Sequence, residues 1–422
     1  MSEKRDIAGL WWLSSKPDER WTGTLTLKPD KGPKLTVDVQ KSAFASITKK
    51  LAAAPTIHGH DQNGSLITLL QPSWPRTQGG STLSKTTYSA HWALLGIQLH
   101  NQDDFKANEV TFRIQHLLNW VGLTGFLKTE TNSANGWSIH FKLPKDESFA
   151  INDDLSVKFC PGYSFNDGLH TKKLEEEIGV TFVSKSGIDL LMLKKLLHAF
   201  RSLLHFATLK KVYPLEIKAK KDGHGYMANE TFHPKVIELW NSIIKEDVES
   251  DSSPDKWIFR FSDVRSRFTD YFHSWLKFNE NFEEAINCYF TTVYHLPPSE
   301  VEHLCITQAL EAYHGIKYAS HEQRNFCGKI QELANTYKDH LKGLVDNVAE
   351  FAEAVRDNRN YYTHHNPEDL KAGRVVKGAK LIRLNEKLKL IFQMCTLTEM
   401  GISAERFPRL RRQLADDIIE LG

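Results

Sequence analysis

Between residues 8 and 155, short apolar or β-branched runs alternate with clusters of Gly, Pro, Asn and Asp. GTLTLKP, KLTVDVQ, SLITLLQ, STLSKTTYSAHWALLGIQL, EVTFRIQHLL and GWSIHFKL each have the character of a strand, and the turn residues between them suit an antiparallel sandwich or barrel-like domain. From 156 to about 245 the pattern is mixed. VTFVS and YPLEIKAK read as strands. Between them, Leu193, Leu196, Leu197, Phe200, Leu203 and Leu204 recur at three- and four-residue steps, with Lys194, Lys195 and Arg201 on the other side, which predicts a core-facing helix. KEDVESDSSPDK, 245–256, offers almost nothing to bury and reads as a linker.

Beyond 257 the period lengthens, and helices are expected near 258–275, 280–294, 298–315, 320–334, 338–364 and 381–400, with a short last one from 408. That succession is an all-α bundle. The pattern predicts a multidomain α+β chain: a β-rich N-terminal domain over 1–155, a mixed α/β middle region and linker over 156–256, and a helical domain over 257–422.

Composition changes this picture little. The 422 residues are 41% hydrophobic and 25% charged, ordinary for globular protein, and long enough for more than one core. A formal charge of +2 excludes bulk electrostatic attraction to nucleic acid, so any such contact must be local. Five scattered cysteines without a C-x-x-C pair suggest neither a disulfide framework nor a zinc cage. No stretch approaches the ~18 apolar residues of a membrane helix, and a cytoplasmic protein with no membrane partner is expected.

In the helix expected over 338–364, Leu341, Leu344, Val348, Phe351 and Val355 draw one stripe that continues onto Asn358 and Tyr362. Arg359 lies four residues past Val355, beside the packed face, and Pro367 forbids continuation past about His365. The run Arg359-Asn360-Tyr361-Tyr362-Thr363-His364 fits the R-x4-6-H motif of HEPN ribonucleases, and VRDNRNYYTHHNPE around it resembles the HEPN domain of ApeA-like anti-phage proteins. GLWWLSSKPDERWTGTLTL and TIHGHDQNGSLITLLQ are similar to landmarks of the N-terminal domain of the same family.

The resemblance implies an endoribonuclease of abortive-infection defence that needs no cofactor or metal. The ribose 2′-hydroxyl would attack the adjacent phosphorus, leaving a 2′,3′-cyclic phosphate and a 5′-hydroxyl. The residue types suit this. Histidine moves protons near neutral pH, typically for ~10²–10⁴-fold in rate, and arginine offers a planar fork of donors to phosphoryl oxygens. Arg359, Asn360 and His364 are therefore the expected catalytic set, with Asn360 four residues from His364 and able to orient it or a phosphate oxygen. Five residues on a regular helix turn about 140°, so Arg359 and His364 of one chain cannot face one phosphate. Either THHNP unwinds before Pro367, or two chains pool their motifs in a homodimer or higher homo-oligomer, as HEPN ribonucleases generally do.

Lys371, Arg374, Lys377 and Lys380, followed by Arg383, Lys387 and Lys389, could hold the RNA backbone or form a solvated helix face. His58-Gly59-His60 and His364-His365 lack a third ligand by spacing, so no metal site is expected. Trp11, Trp12 and Trp21 fit core packing better than base stacking, and Cys305 and Cys327 fit buried, inert thiols. The β-rich part would sense a phage-derived trigger or restrain the nuclease. Two rival readings are a HEPN module that binds RNA or nucleotide without cutting, and an interaction protein that recognises a phage component.

Overall fold

The computed structural model describes residues 4–40, 56–73, 76–79, 83–132, 136–168, 172–228, 231–245, 256–295, 297–319, 324–365 and 367–412. The expected linker lies outside them, apart from its end residues. The chain divides into two compact units, Met1–Leu204 with Val212–Ser252 and His205–Lys211 with Ser253–Gly422.

The first unit is built from strands β1 (Arg5–Leu13), β2 (Trp21–Lys28), β3 (Gly32–Gln40), β4 (Thr56–Asp61), β5 (Leu66–Pro72), β6 (Arg76–Gly79) and β7 (Leu83–Leu95), then β8 (Ala107–Ile114), β9 (Phe126–Asn132), β10 (Gly136–Phe141), β11 (Glu147–Ala150), β12 (Leu155–Asp167), β13 (Lys172–Ile188), β14 (Pro214–Ala228) and β15 (Thr231–Trp240). Strand β7 is long enough to take two partners, β3 along its first half and β5 along its second. The order β7-β3-β2-β1-β4-β5 therefore closes on itself as a six-stranded antiparallel barrel. Closure removes two sheet edges. Trp11, Leu25, Leu27, Leu35, Val37, Ile57 and Leu69 are buried, and Trp11 Nε1 donates to the Gly23 carbonyl at 3.1 Å. Gly59 leaves room for that indole, since a Cβ there would stand 2.2 Å from the Trp11 ring. The three tryptophans of the opening strands are packed, with Trp12 and Trp21 at most 9% exposed. His58 is buried too, its Nε2 donating to the Leu99 carbonyl at 2.6 Å and its Nδ1 accepting from Gln98 at 2.9 Å.

The end of β7 also pairs with β15, from which the sheet continues through β14, β8, β13 and β12 to β11. Here the expected boundary at 155 needs correction. Strand β8 lies between β13 and β14, so strands from either side of residue 155 share one hydrogen-bonded sheet and one unit. Helix α1 (Leu117–Val121) ends the strand-like run EVTFRIQHLL, and α2 (Leu190–Thr208) lays Phe200 against Phe159 and Phe182, both at 6.1 Å.

The second unit is helical: α3 (Phe261–Val264), α4 (Phe268–Asn281), α5 (Glu283–Tyr294), α6 (Ser299–Lys317), α7 (Phe326–Thr336), α8 (Lys338–Leu341), α9 (Val348–His364), α10 (Pro367–Lys371) and α11 (Ala379–Glu399). Helix α11 runs through the core, burying Leu381, Leu388, Ile391 and Phe392, whose ring stacks on Tyr289 at 4.8 Å. The helix expected over 338–364 is two helices. Gly343, at φ +81°, turns the chain after Leu341, and Asn347 restarts it by accepting from the Ala349 and Glu350 amides at 3.0 and 3.3 Å. Leu341 and Leu344 thus precede the cap and do not belong to the stripe of α9. The helix expected over 258–275 is likewise broken, at Arg265–Arg267.

Candidate active site

Helix α9 owes its direction to its apolar stripe. Phe351, Ala352 and Val355 are buried, and the stripe continues as two polar residues that are buried as well, Asn358 and Tyr362. A buried amide or phenol needs partners, and both find them on one residue. Asn358 Oδ1 accepts from the Val376 amide at 3.0 Å, and Tyr362 Oη donates to the Val376 carbonyl at 3.1 Å. Asn358 Nδ2 donates back to the Ala354 carbonyl at 2.7 Å. The loop between α10 and α11 is in this way clipped to the motif helix.

Arg359 is not free. Its guanidinium bonds Glu311 of α6 at 3.0 Å and lies over the Phe326 ring of α7 at 4.6 Å. Glu311 also takes Lys329 at 3.2 Å. The Arg359 side chain is 37% exposed, so the ion pair is worth at most about 1 kcal/mol and the ring contact about as much. That suffices to orient the guanidinium and leaves it able to turn to a phosphate. Pattern reasoning missed Glu311 and Phe326, which lie on other helices and carry no local signal.

His364 and Asn360 are exposed, and neither side chain bonds any described residue. Asn360 therefore does not hold His364 in the chain alone. The helix stays regular between Arg359 and His364, with Thr363 Oγ1 donating to the Arg359 carbonyl at 2.8 Å. It ends at His365, which is left-handed at φ 52°, ψ 38° and whose amide bonds the Tyr361 carbonyl at 2.6 Å. That conformation costs a residue with a side chain roughly 1–2 kcal/mol. THHNP thus unwinds only after His364, and the turn of about 140° from Arg359 is kept. Pro367 opens α10, at a position where its missing N–H costs nothing.

Lys371, Arg374, Lys377 and Lys380 are all exposed around the clipped loop, with Lys377 Nζ over the Tyr361 ring at 5.4 Å. The basic run does not extend as far as expected. Lys389 is 15% exposed and held by Glu302 and Glu386, the first at 2.9 Å. Burial disfavours its charge, but the two carboxylates outweigh burial and raise its pKa. Lys387 is half-buried and burial lowers its pKa. Cys305 and Cys327 are half-buried, with thiols pushed up by burial.

Among the described residues no cluster of three or more His, Cys, Asp or Glu could hold a metal ion, and no helix is long and apolar enough to cross a membrane. Residues 6–275 match the family of the ApeA N-terminal domain 1, and residues 304–406 match the Apea-like HEPN family. No curated protein and no solved structure matches the chain. The second match spans α6 to α11, the helices that hold Glu311, Arg359 and His364, and the first covers well over half of the sequence. The chain therefore belongs to the ApeA family and carries an Apea-like HEPN domain in its helical unit.

Proposed function

We propose that the HEPN domain is an endoribonuclease of anti-phage defence that cleaves RNA without a metal. The observation that carries this reading is the contrast within one helix: Arg359 is oriented by Glu311 and Phe326, while His364, at the exposed end, has no partner among the described residues. A cation oriented beside the site and free to turn onto a phosphate suits a phosphoryl group that gathers charge, and an imidazole left open to solvent suits proton transfer. The 2′-oxygen attacks phosphorus, the bond to the 5′-oxygen breaks, and a 2′,3′-cyclic phosphate and a 5′-hydroxyl result.

Since Arg359 and His364 of one chain diverge, each site takes Arg359 from one protomer and His364 from its partner across a twofold axis. Asn360 is poised to bind a phosphate oxygen or the partner's His364. Lys371, Arg374, Lys377 and Lys380 supply the local basic surface that a net charge of +2 does not. The β-rich unit has the sensing or restraining role, with a phage-derived component as trigger, and activation arrests the infected cell.

RNA incubated in EDTA with wild type, Arg359→Ala and His364→Ala tests this. The proposal expects wild type to cut and both variants to lose roughly 10²–10⁴-fold. Equal decay in all three would exclude Arg359 and His364 from catalysis, and binding without any cleavage would favour a non-cutting HEPN module.

A further inference from the structure

The motif helix ends in a second histidine that the pairing of Arg359 with His364 leaves unused. His365 occupies a left-handed cap, φ 52°, where Gly or Asn is the usual occupant. Its side chain is exposed and its ring packs in a T-shaped arrangement with that of Tyr361, with centroids 5.8 Å apart and planes at 79°. Lys377 Nζ lies over the same Tyr361 ring at 5.4 Å. It reaches that ring because the neighbouring Val376 is clipped to Asn358 and Tyr362. An imidazole and an ammonium thus share one aromatic platform directly beside His364. The spacing from Arg359 also admits His365, with five intervening residues in place of four.

We propose that His365 is a second proton-transfer residue of the cleavage site, seated on Tyr361, with Lys377 as the phosphate contact next to it. This rests on the nuclease reading above. As the bond from the 2′-oxygen to phosphorus forms, the neutral imidazole of His364 or His365 takes the 2′-hydroxyl proton. As the bond from phosphorus to the 5′-oxygen breaks, the other, protonated, gives its proton to the departing oxygen. The two rings exchange roles and water restores them, so no further reactant is needed. The Lys377 ammonium offsets charge on the non-bridging oxygens.

Asparagine tolerates the left-handed region, so His365→Asn keeps the cap and removes only the imidazole. The full-length protein, given a short single-stranded RNA with one scissile step, is assayed for kcat and KM across pH. His365→Asn is expected to lose about 10²-fold or more in kcat with little change in KM, and the bell-shaped profile of wild type is expected to lose one limb. Lys377→Ala is expected to raise KM and to weaken the dependence on salt. Wild-type kcat with both limbs intact in His365→Asn overturns this inference alone. A wild type that cuts no RNA overturns the nuclease reading, and this inference with it.

Discussion

Asn358, next to the candidate arginine, is a polar residue whose role is structural. It continues the apolar stripe of α9, is fully buried, and satisfies its amide with the Ala354 carbonyl and the Val376 amide. Asn358→Ala would leave the Val376 N–H without its partner, so we expect a loss of roughly 1–3 kcal/mol, seen as a lower urea midpoint. An unchanged midpoint would mean that the loop is held by other contacts. Arg359 is the converse case, a residue that chemistry needs and structure only lightly holds. Glu311→Gln removes the charge opposite it and keeps the shape. An exposed pair of this kind is worth at most about 1 kcal/mol, so cleavage should slow by no more than about fivefold, far less than with Arg359→Ala. A loss as large as that of Arg359→Ala would place Glu311 in the reaction itself. Neither Glu311 nor Phe326 could be read from the motif, because contacts between α6, α7 and α9 depend on how helices pack and leave no mark in local spacing.

Among the elements, α9 is set by its ends. Asn347 caps its start and Glu350 answers from the third position, at 2.7 Å from the Asn347 amide. This N-x-x-E pattern was legible in the sequence, yet the apolar stepping from Leu341 onward masked it and suggested one long helix. Gly343 at positive φ settled the break. Asn347→Ala should cost about 1 kcal/mol, measurable as a fall in the thermal midpoint. A second tie is His303 of α6, fully buried, whose Nδ1 donates to Asn385 Oδ1 of α11 at 2.8 Å. Burial lowers its pKa below the ordinary 6.5, although the hydrogen bonds of its ring and nearby Glu302 pull the other way. Its unfolded form therefore takes up protons first. The stabilisation is complete above pH 6.5 and is lost as pH falls through 6.5 toward the folded-state value. We expect the thermal midpoint to drop between pH 7 and pH 5, and to drop less in His303→Gln. An identical drop in both would remove His303 as a cause.

For the whole molecule, individual strands were far more legible than their partners. KLTVDVQ announces β3 by alternation and SLITLLQ announces β5 by a short apolar, β-branched run, but barrel closure depends on β7 pairing with both, and no local pattern encodes that. The same limit hid the continuity of the sheet across residue 155, since β8 finds its neighbours among strands more than 60 residues later in the chain. At the candidate site, the motif and the helix end were readable, whereas the exposure of His364 and the clip on Val376 needed the packed structure. Assembly of two chains is the remaining scale, and the divergence of Arg359 and His364 makes it the centre of the account. Arg359→Ala and His364→Ala, each inactive alone, should complement when mixed, because a heterodimer keeps one intact Arg359 facing one intact His364 of its partner. With random pairing, cleavage of RNA by the equimolar mixture should recover to about a quarter of wild type, two identical sites per dimer being assumed. A mixture that stays silent although heterodimers are shown to form, or either variant cutting as fast as wild type by itself, would contradict the account.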